Sequence, residues 1–497
     1  MKMSHHNKTK ITERTIRKLN KITSECLKAG KLDCAMQAAE VSAEVLYSWN
    51  QRYSDPLLEK TLLDISDNLE ASEVSDVPSD PGTVLFYDGF AFDTRGLALI
   101  YLKALCSLGY HVVYVTYDLD FSGNRTEQPE IMKATCGSNI NTVYLKNSSG
   151  YVEKAEEIFK LINKYGPIAS FLYSFPFDIC AACAFTRAEG LTKRYLINLT
   201  DNAFWAGLNS FDFCIEFRDY GAGISFYDRH IPAEKIKTLP FYPYTDESVE
   251  FQGYPFRFNE ETQKLIFSGG ALYKTISDDN AYYKLVEYIL ETDPETVFWY
   301  AGSGDKTRFT PLLKKYGGRI FITPERKDLL QVLKRCCFYL STYPVSGGLM
   351  FQYTAKAGKL PLTLRHDMCN EGFLIGQEEL GIEFDSIGET EAEISRCLSD
   401  KNYREQKEQK LKEALVSEEQ FTAQLGKLLS SGENSCPIII KEQETEYFRD
   451  EYAKRWSVDS LVKFLVRKKS KWLSLRFPGF LFLYFFNRIG RKQIHEL

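Results

Sequence analysis

Two stretches of this 497-residue chain place glycines, a lysine and hydroxyls where a phosphate could be held. In Leu265–Asp279 (LIFSGGALYKTISDD) an apolar, strand-like run enters a turn at Gly269-Gly270, and Lys274 follows. Glycines let the backbone approach a ligand, and a lysine beside them can neutralise a diphosphate. In Ser341–Lys359 (STYPVSGGLMFQYTAKAGK) a strand ends at Ser341 and a loop with Gly347-Gly348 opens a helix near Leu349. The first turn of that helix offers unpaired N–H groups and a positive dipole end, to which Ser346 can add a hydroxyl. Gln352 and Tyr353, about one turn further, are placed to reach a ribose or a base. Either stretch alone also reads as an ordinary strand–helix turn. Two of them within one domain favour the anion reading.

The acid–base candidates lie earlier. Tyr87–Gly96 (YDGFAFDTRG) carries Asp88 at a strand end, then Asp93 and Arg95; Asn198–Tyr220 carries Asp201, Asn202 and Trp205. Group transfer to a hydroxyl needs a base for its proton. Asp93, Asp88 and Asp201, in that order, are the candidates. The plainer reading is that Asp88 or Asp93 caps the following helix. Glu216 and Arg218 read as a structural ion pair, and His366, just after a strand, reads as a surface residue, with a donor contact as the alternative. Asp278-Asp279 and Asp118-x-Asp120 read as turns, so no metal is expected. Cys180-x-x-Cys183 has no second pair to complete a zinc site, and the twelve cysteines read as buried thiols.

These residues need elements to position them, and the chain supplies an alternation. Thr83–Gly89, a helix over 95–108 and Tyr110–Tyr117 form a strand–helix–strand unit. Helices over 151–165 and 177–189 follow, with strands over 168–173, 194–199, 211–216 and 237–239. A second series begins at Lys264, with strands over 264–268, 296–301, 319–323, 338–341 and 361–364. Its helices fall over 280–291, 309–316, 327–336, 348–357 and 391–398. The expected architecture is therefore α/β: two Rossmann-like domains, 81–246 and 255–430, facing a cleft. Residues 1–80 read as a helical extension.

Residues 437–497 read as a basic amphipathic helical tail. Between Lys454 and Lys492 eleven basic residues face one acidic residue, around the aromatic run Phe477–Phe486 (FPGFLFLYFF). Ten residues are too few to span a bilayer, but basic and aromatic residues together suit an anionic membrane surface. The competing reading is a helix packed on the N-terminal domain. The whole chain has a net charge of −5, which argues against nucleic acid as its partner. The polar, basic start of the chain has no signal-peptide core, so a cytoplasmic location is expected, peripheral on the inner face of the membrane. The N-x-S/T sequences at Asn124, Asn147 and Asn198 then have no role as glycan acceptors.

ALYKTISDD after a strand, with TYPVSGGLMFQYTAKAGKLPLTL downstream, resembles the nucleotide-binding half of GT-B glycosyltransferases, in particular the O-linked N-acetylglucosamine transferase-like group and bacterial polysaccharide glycosyltransferases. The pattern covers about 81–430, and Asn198–Tyr220 followed by Lys235–Pro243 is similar to that group too. The resemblance implies that Lys274 and Ser346, Gly347, Gly348, Leu349 and Met350 hold the diphosphate of a nucleotide-sugar donor, UDP-sugar favoured. Gly269, Gly270, Thr323 and Gln352 complete the expected donor site, and Gly318–Arg326 would frame the base. Where many such enzymes carry an acidic residue for the ribose, this chain has Gln352 and Tyr353. The implied activity is metal-independent sugar transfer, without a cofactor, to a glycan or lipid-linked acceptor in surface polysaccharide synthesis. An inactive partner subunit and a sugar-nucleotide epimerase are the alternatives.

Overall fold

The computed structural model describes residues 5–70, 80–91, 96–118, 133, 136–147, 149–246, 248–366, 380–434, 438–465, 471–480 and 482. They divide into two compact units, Met1–Leu239 with Thr422–Leu497, and Pro240–Phe421.

The first unit is built on a seven-stranded sheet of order β3-β2-β1-β4-β5-β6-β7. Its strands are β1 Asp80–Asp88, β2 His111–Tyr117, β3 Ile140–Leu145, β4 Pro167–Tyr173, β5 Lys193–Ile197, β6 Phe213–Glu216 and β7 Ile236–Thr238. Every pairing is parallel. Val84–Asp88 is buried throughout, as expected of a central parallel strand covered on both faces. Helices Leu97–Ser107, Tyr151–Tyr165 and Ile179–Arg187 pack against this strand, and Asp219–Tyr227 packs against β6 and β7.

The extension forms three helices, His5–Lys28, Leu32–Trp49 and Pro56–Asp67. The Asp55 carboxylate caps the third by accepting Leu58 N–H at 2.9 Å, with Pro56 in the first turn. The three share one core with helix 179–187: Leu19, Leu46, Leu58 and Leu62 are buried with Ile179 and Cys183.

The described part of the tail enters the same core through Trp456, Leu461, Leu465, Leu473 and Phe477. The Trp456 indole donates to Thr12 Oγ1 at 2.8 Å, and the Trp472 indole to Gln37 Oε1 at 2.7 Å. The tail is thus, first, a packing element of the first unit. Of the Phe477–Phe486 run, Phe477 is buried and Phe482 is 64% exposed. Leu481 and 483–497 lie outside the described residues. Among those described, no helix is long and apolar enough to cross a membrane.

The second unit carries a six-stranded sheet of order β10-β9-β8-β11-β12-β13. Its strands are β8 Lys264–Ala271, β9 Thr296–Ser303, β10 Ile320–Thr323, β11 Phe338–Leu340, β12 Leu360–Leu364 and β13 Glu383–Phe384, again all parallel. Gly269 and Gly270 were expected in a turn. They are strand residues instead, paired with Ala301 and Gly302, and β8 runs on to Ala271. The close approach depends on Gly302, where a Cβ would lie 1.8 Å from the Gly270 carbonyl oxygen.

Candidate functional site

In an open parallel sheet, ligands bind at the carboxyl ends of the strands, where the strand order reverses. In the second unit that point lies between β8 and β11. After β8 the chain makes a single 3-10 turn, Leu272–Thr275, which carries Lys274. After β11 it forms the loop Ser341–Gly347 and then helix Gly348–Lys356. The two segments meet. Val345 N–H donates to the Lys274 carbonyl at 3.2 Å. The Lys274 ammonium stands 3.9 Å from where a Cβ on Gly347 would be. Gly347, at the N-cap, has no side chain to close the first turn of the helix. Ser346, Gly347, Gly348 and Leu349 are half-buried along the same stretch. A cation and the positive end of a helix, set at the switch point of a parallel sheet, suit a diphosphate.

The glycines at the end of β8 are fixed from below. Tyr339 OH donates to the Gly269 carbonyl at 3.3 Å, and Tyr300 OH to the Gly270 carbonyl at 3.0 Å. Around Gly270, φ +128°, a Cβ would meet nothing within 4 Å, so the backbone there faces open space.

Other expected donor contacts are engaged within the protein. The Gln352 side chain is 3% exposed, and its amide donates to the Phe241 carbonyl at 3.1 Å, tethering the segment that opens the second unit. Thr323 Oγ1 accepts the Trp299 indole N–H at 2.9 Å. In the 318–326 stretch, Arg326 grips Asp328 with two bonds of 2.7 Å. His366 lies edge-on to Tyr343, 5.3 Å between ring centres, on the β12 side of the loop.

Of the three acid candidates in the first unit, Asp93 lies outside the described residues. Asp88 is fully buried. It accepts Phe90 N–H at 2.9 Å and Tyr114 OH at 2.6 Å, and it does not cap the next helix, whose N-cap is Gly96. Asp201 is 2% exposed and doubly bonded to Arg218, at 2.6 and 3.1 Å. The expected Glu216–Arg218 pair therefore does not form. β6 turns Glu216 into the core, where its Oε1 accepts from Asn198 at 2.9 Å and from Ser225 at 2.5 Å. Burial raises its pKa, against the opposing pull of Arg229. The buried Arg229 donates to the carbonyls of Thr200, Asp201 and Ala203 at 2.8 to 3.0 Å. Burial lowers the pKa of this guanidinium.

The extension clamps the same loop from the other side. Asn50 Nδ2 donates to the Asn202 carbonyl at 3.1 Å, and Asn50 Oδ1 accepts Phe204 N–H at 2.9 Å. Glu59 accepts Gly207 N–H at 2.9 Å and Leu208 N–H at 2.7 Å. Burial pushes Glu59 up to about 7 even against those two donors.

Asn50, Glu59 and Arg229 escaped the sequence reading, and so did Asp178. Asp178 caps helix 179–187 through Ala181 N–H at 3.1 Å and accepts Tyr87 OH at 2.8 Å. Burial raises its pKa. With Ser174, Asn198, Thr200 and Trp205 it lines a cleft at the carboxyl ends of β4 and β5. The signal was available: an aspartate directly before an apolar helical run, in FPFDICAACAF. Among the described residues no three His, Cys, Asp or Glu side chains are grouped as metal ligands, and the ten described cysteines are free thiols.

No protein-family model matches the chain. No curated protein matches it in sequence. Solved structures do match it in fold. An O-GlcNAc transferase mutant from Thermobaculum terrenum aligns over 88% of this chain and 84% of its own, with TM-score 0.51 and 13% identity. A glycosyltransferase from Rickettsia africae aligns over 70% and 98%, with TM-score 0.52 and 12% identity. Anabaena HepE, solved in complex with UDP and glucose, aligns over 70% and 99%, with TM-score 0.50 and 10% identity. Two all-parallel, doubly wound units and these likenesses establish that the chain has the two-domain α/β fold of GT-B glycosyltransferases.

Proposed function

We propose that the chain is a glycosyltransferase that takes a sugar from a nucleoside-diphosphate donor, with UDP-sugars favoured, and that the second unit holds the donor. The observation that carries this reading is the meeting of Lys274 with the Ser346–Gly348 loop at the switch point between β8 and β11. When the bond to the sugar breaks, negative charge builds on the departing diphosphate. A lysine and helix N–H groups fixed in advance lower that cost without reorganising. In this reading Lys274 does the work that a divalent metal does elsewhere, so transfer needs no metal.

Asp93 is proposed as the base that takes the acceptor's proton, since the carboxylates of Asp88 and Asp201 are occupied by Tyr114, Phe90 and Arg218. The acceptor is proposed to be a glycan or lipid-linked sugar of a surface polysaccharide. The test is release of UDP from a panel of UDP-sugars, with and without EDTA. Turnover unchanged by EDTA and lost in Lys274→Met supports the reading. Loss of turnover with EDTA, or none lost in the variant, overturns it.

A second reading draws on the same two committed carboxylates: a glycosyltransferase-like subunit that binds donor without turning it over. Nucleotide binding with no UDP release from any sugar nucleotide, alone or with added glycans, favours it.

A further inference from the structure

The two ends of the described chain lie side by side, and together they make a surface that neither end announces alone. Helix His5–Lys28 carries seven Lys and Arg residues against two Glu. Its buried side, including Ile16, Leu19 and Ile22, faces the core. Lys10, Arg14, Arg17, Lys21 and Lys28 are all exposed and recur at steps of three, four and seven residues. That spacing sets them in a single stripe along one face, about 27 Å long at 1.5 Å per residue.

The tail runs beside this helix. Arg476 pairs with Glu25, Lys18 donates to the Arg476 carbonyl, and the Lys18 ammonium lies 4.5 Å from the centre of the Phe477 ring. Next to these contacts the tail presents apolar side chains outward, Leu475 at 74% exposed and Phe482 at 64%. Leu473 and Phe477, two residues to either side of Leu475, are buried. The tail therefore fills the core with one set of side chains and offers another to its surroundings.

We infer that this face docks the protein on an anionic lipid surface. A basic stripe alone would fit any polyanion. Basic side chains flanking exposed Leu and Phe fit a surface that is charged at its headgroups and apolar just below. The chain as a whole is acidic, at −5, so this positive charge is local and opposes the net charge. The inference does not depend on the donor site in the second unit.

The experiment is flotation of the full chain with vesicles of phosphatidylcholine alone and with about 30% phosphatidylglycerol. Binding is expected only to the anionic vesicles and should fall as salt rises. The triple variant Arg14→Gln/Arg17→Gln/Lys21→Gln removes three exposed charges. Its affinity is expected to drop about a hundred-fold, at roughly five-fold per charge. The double variant Leu475→Ser/Phe482→Ser should also weaken binding, while the unfolding midpoint of both stays that of the parent. Equal partition onto neutral and anionic vesicles, or no effect of either variant, would overturn the inference. So would background vesicle binding together with tight binding to duplex DNA that the triple variant abolishes.

Discussion

At the scale of single residues, burial decides which charged groups are available for chemistry. Asp201 and Arg218 are 3% and 10% exposed at their side chains and doubly bonded. Removing one partner strands a buried charge. Asp201→Asn is expected to cost about 3 kcal/mol of stability in chemical denaturation, far more than substitution of an exposed carboxylate. Glu59 gives a pH signature. Its folded pKa of about 7 lies above the ordinary carboxyl value, so between pH 4.5 and 7 the folded state binds more protons than the unfolded one. Stability from this group therefore falls as pH rises through that window and levels off above it, by up to about 3 kcal/mol. A denaturation series across the window should show a smaller slope for Glu59→Ala than for the parent. Glu59→Gln turns an N–H donor toward Gly207 or Leu208 N–H but cannot ionise, so its stability should show no slope from this position across the window.

At the scale of elements, most of the alternation was legible because central parallel strands are short apolar runs between helical spacings. The misses have physical reasons. β3, INTVYL, lies at the edge of its sheet, is largely half-exposed and lacks the apolar run of a central strand. Helix Asp219–Tyr227, DYGAGISFY, holds two glycines and no clear polar face. Those glycines serve packing: at Gly221 a Cβ would lie 2.3 Å from Glu216 Oε2. Gly269-Gly270 read as a turn because glycine commonly marks one, whereas here Gly302 lets β9 lie close against β8. Gly302→Ala is expected to destabilise the second unit by more than about 3 kcal/mol, since backbone must move. Calorimetry should show a lowered unfolding transition for this variant.

The candidate site was half legible. Lys274 and the Ser346–Gly348 loop can be found from glycines and a lysine near strand ends, and the sheet order brings them together. The fates of Gln352, Thr323, Asp88 and Asp201 cannot be read in sequence. Their partners, Phe241, Trp299, Tyr114 and Arg218, lie 17 to 111 residues away and are chosen by packing.

At the scale of the molecule, the extension and the tail are parts of the first unit's core and not appendages. Trp456 is 4% exposed and bonded to Thr12 in the first helix. Trp456→Ala should cost about 3–5 kcal/mol in global unfolding. Deleting residues 1–70 bares the buried faces of Ile179, Cys183 and Phe204 and releases the loop that Asn50 and Glu59 hold. The truncated chain is expected to be insoluble where the full chain is not.

The central claim is that the second unit binds a nucleoside diphosphate at Lys274 and the Ser346–Gly348 loop. Calorimetric titration of the full chain with UDP, beside Lys274→Met, tests it most directly. The account predicts saturable binding by the parent and a loss of about ten-fold or more in affinity for the variant, as for a charge-assisted bond of about 1.5–3 kcal/mol, with the unfolding midpoint unchanged. No binding by the parent, or equal binding by both proteins, would contradict it.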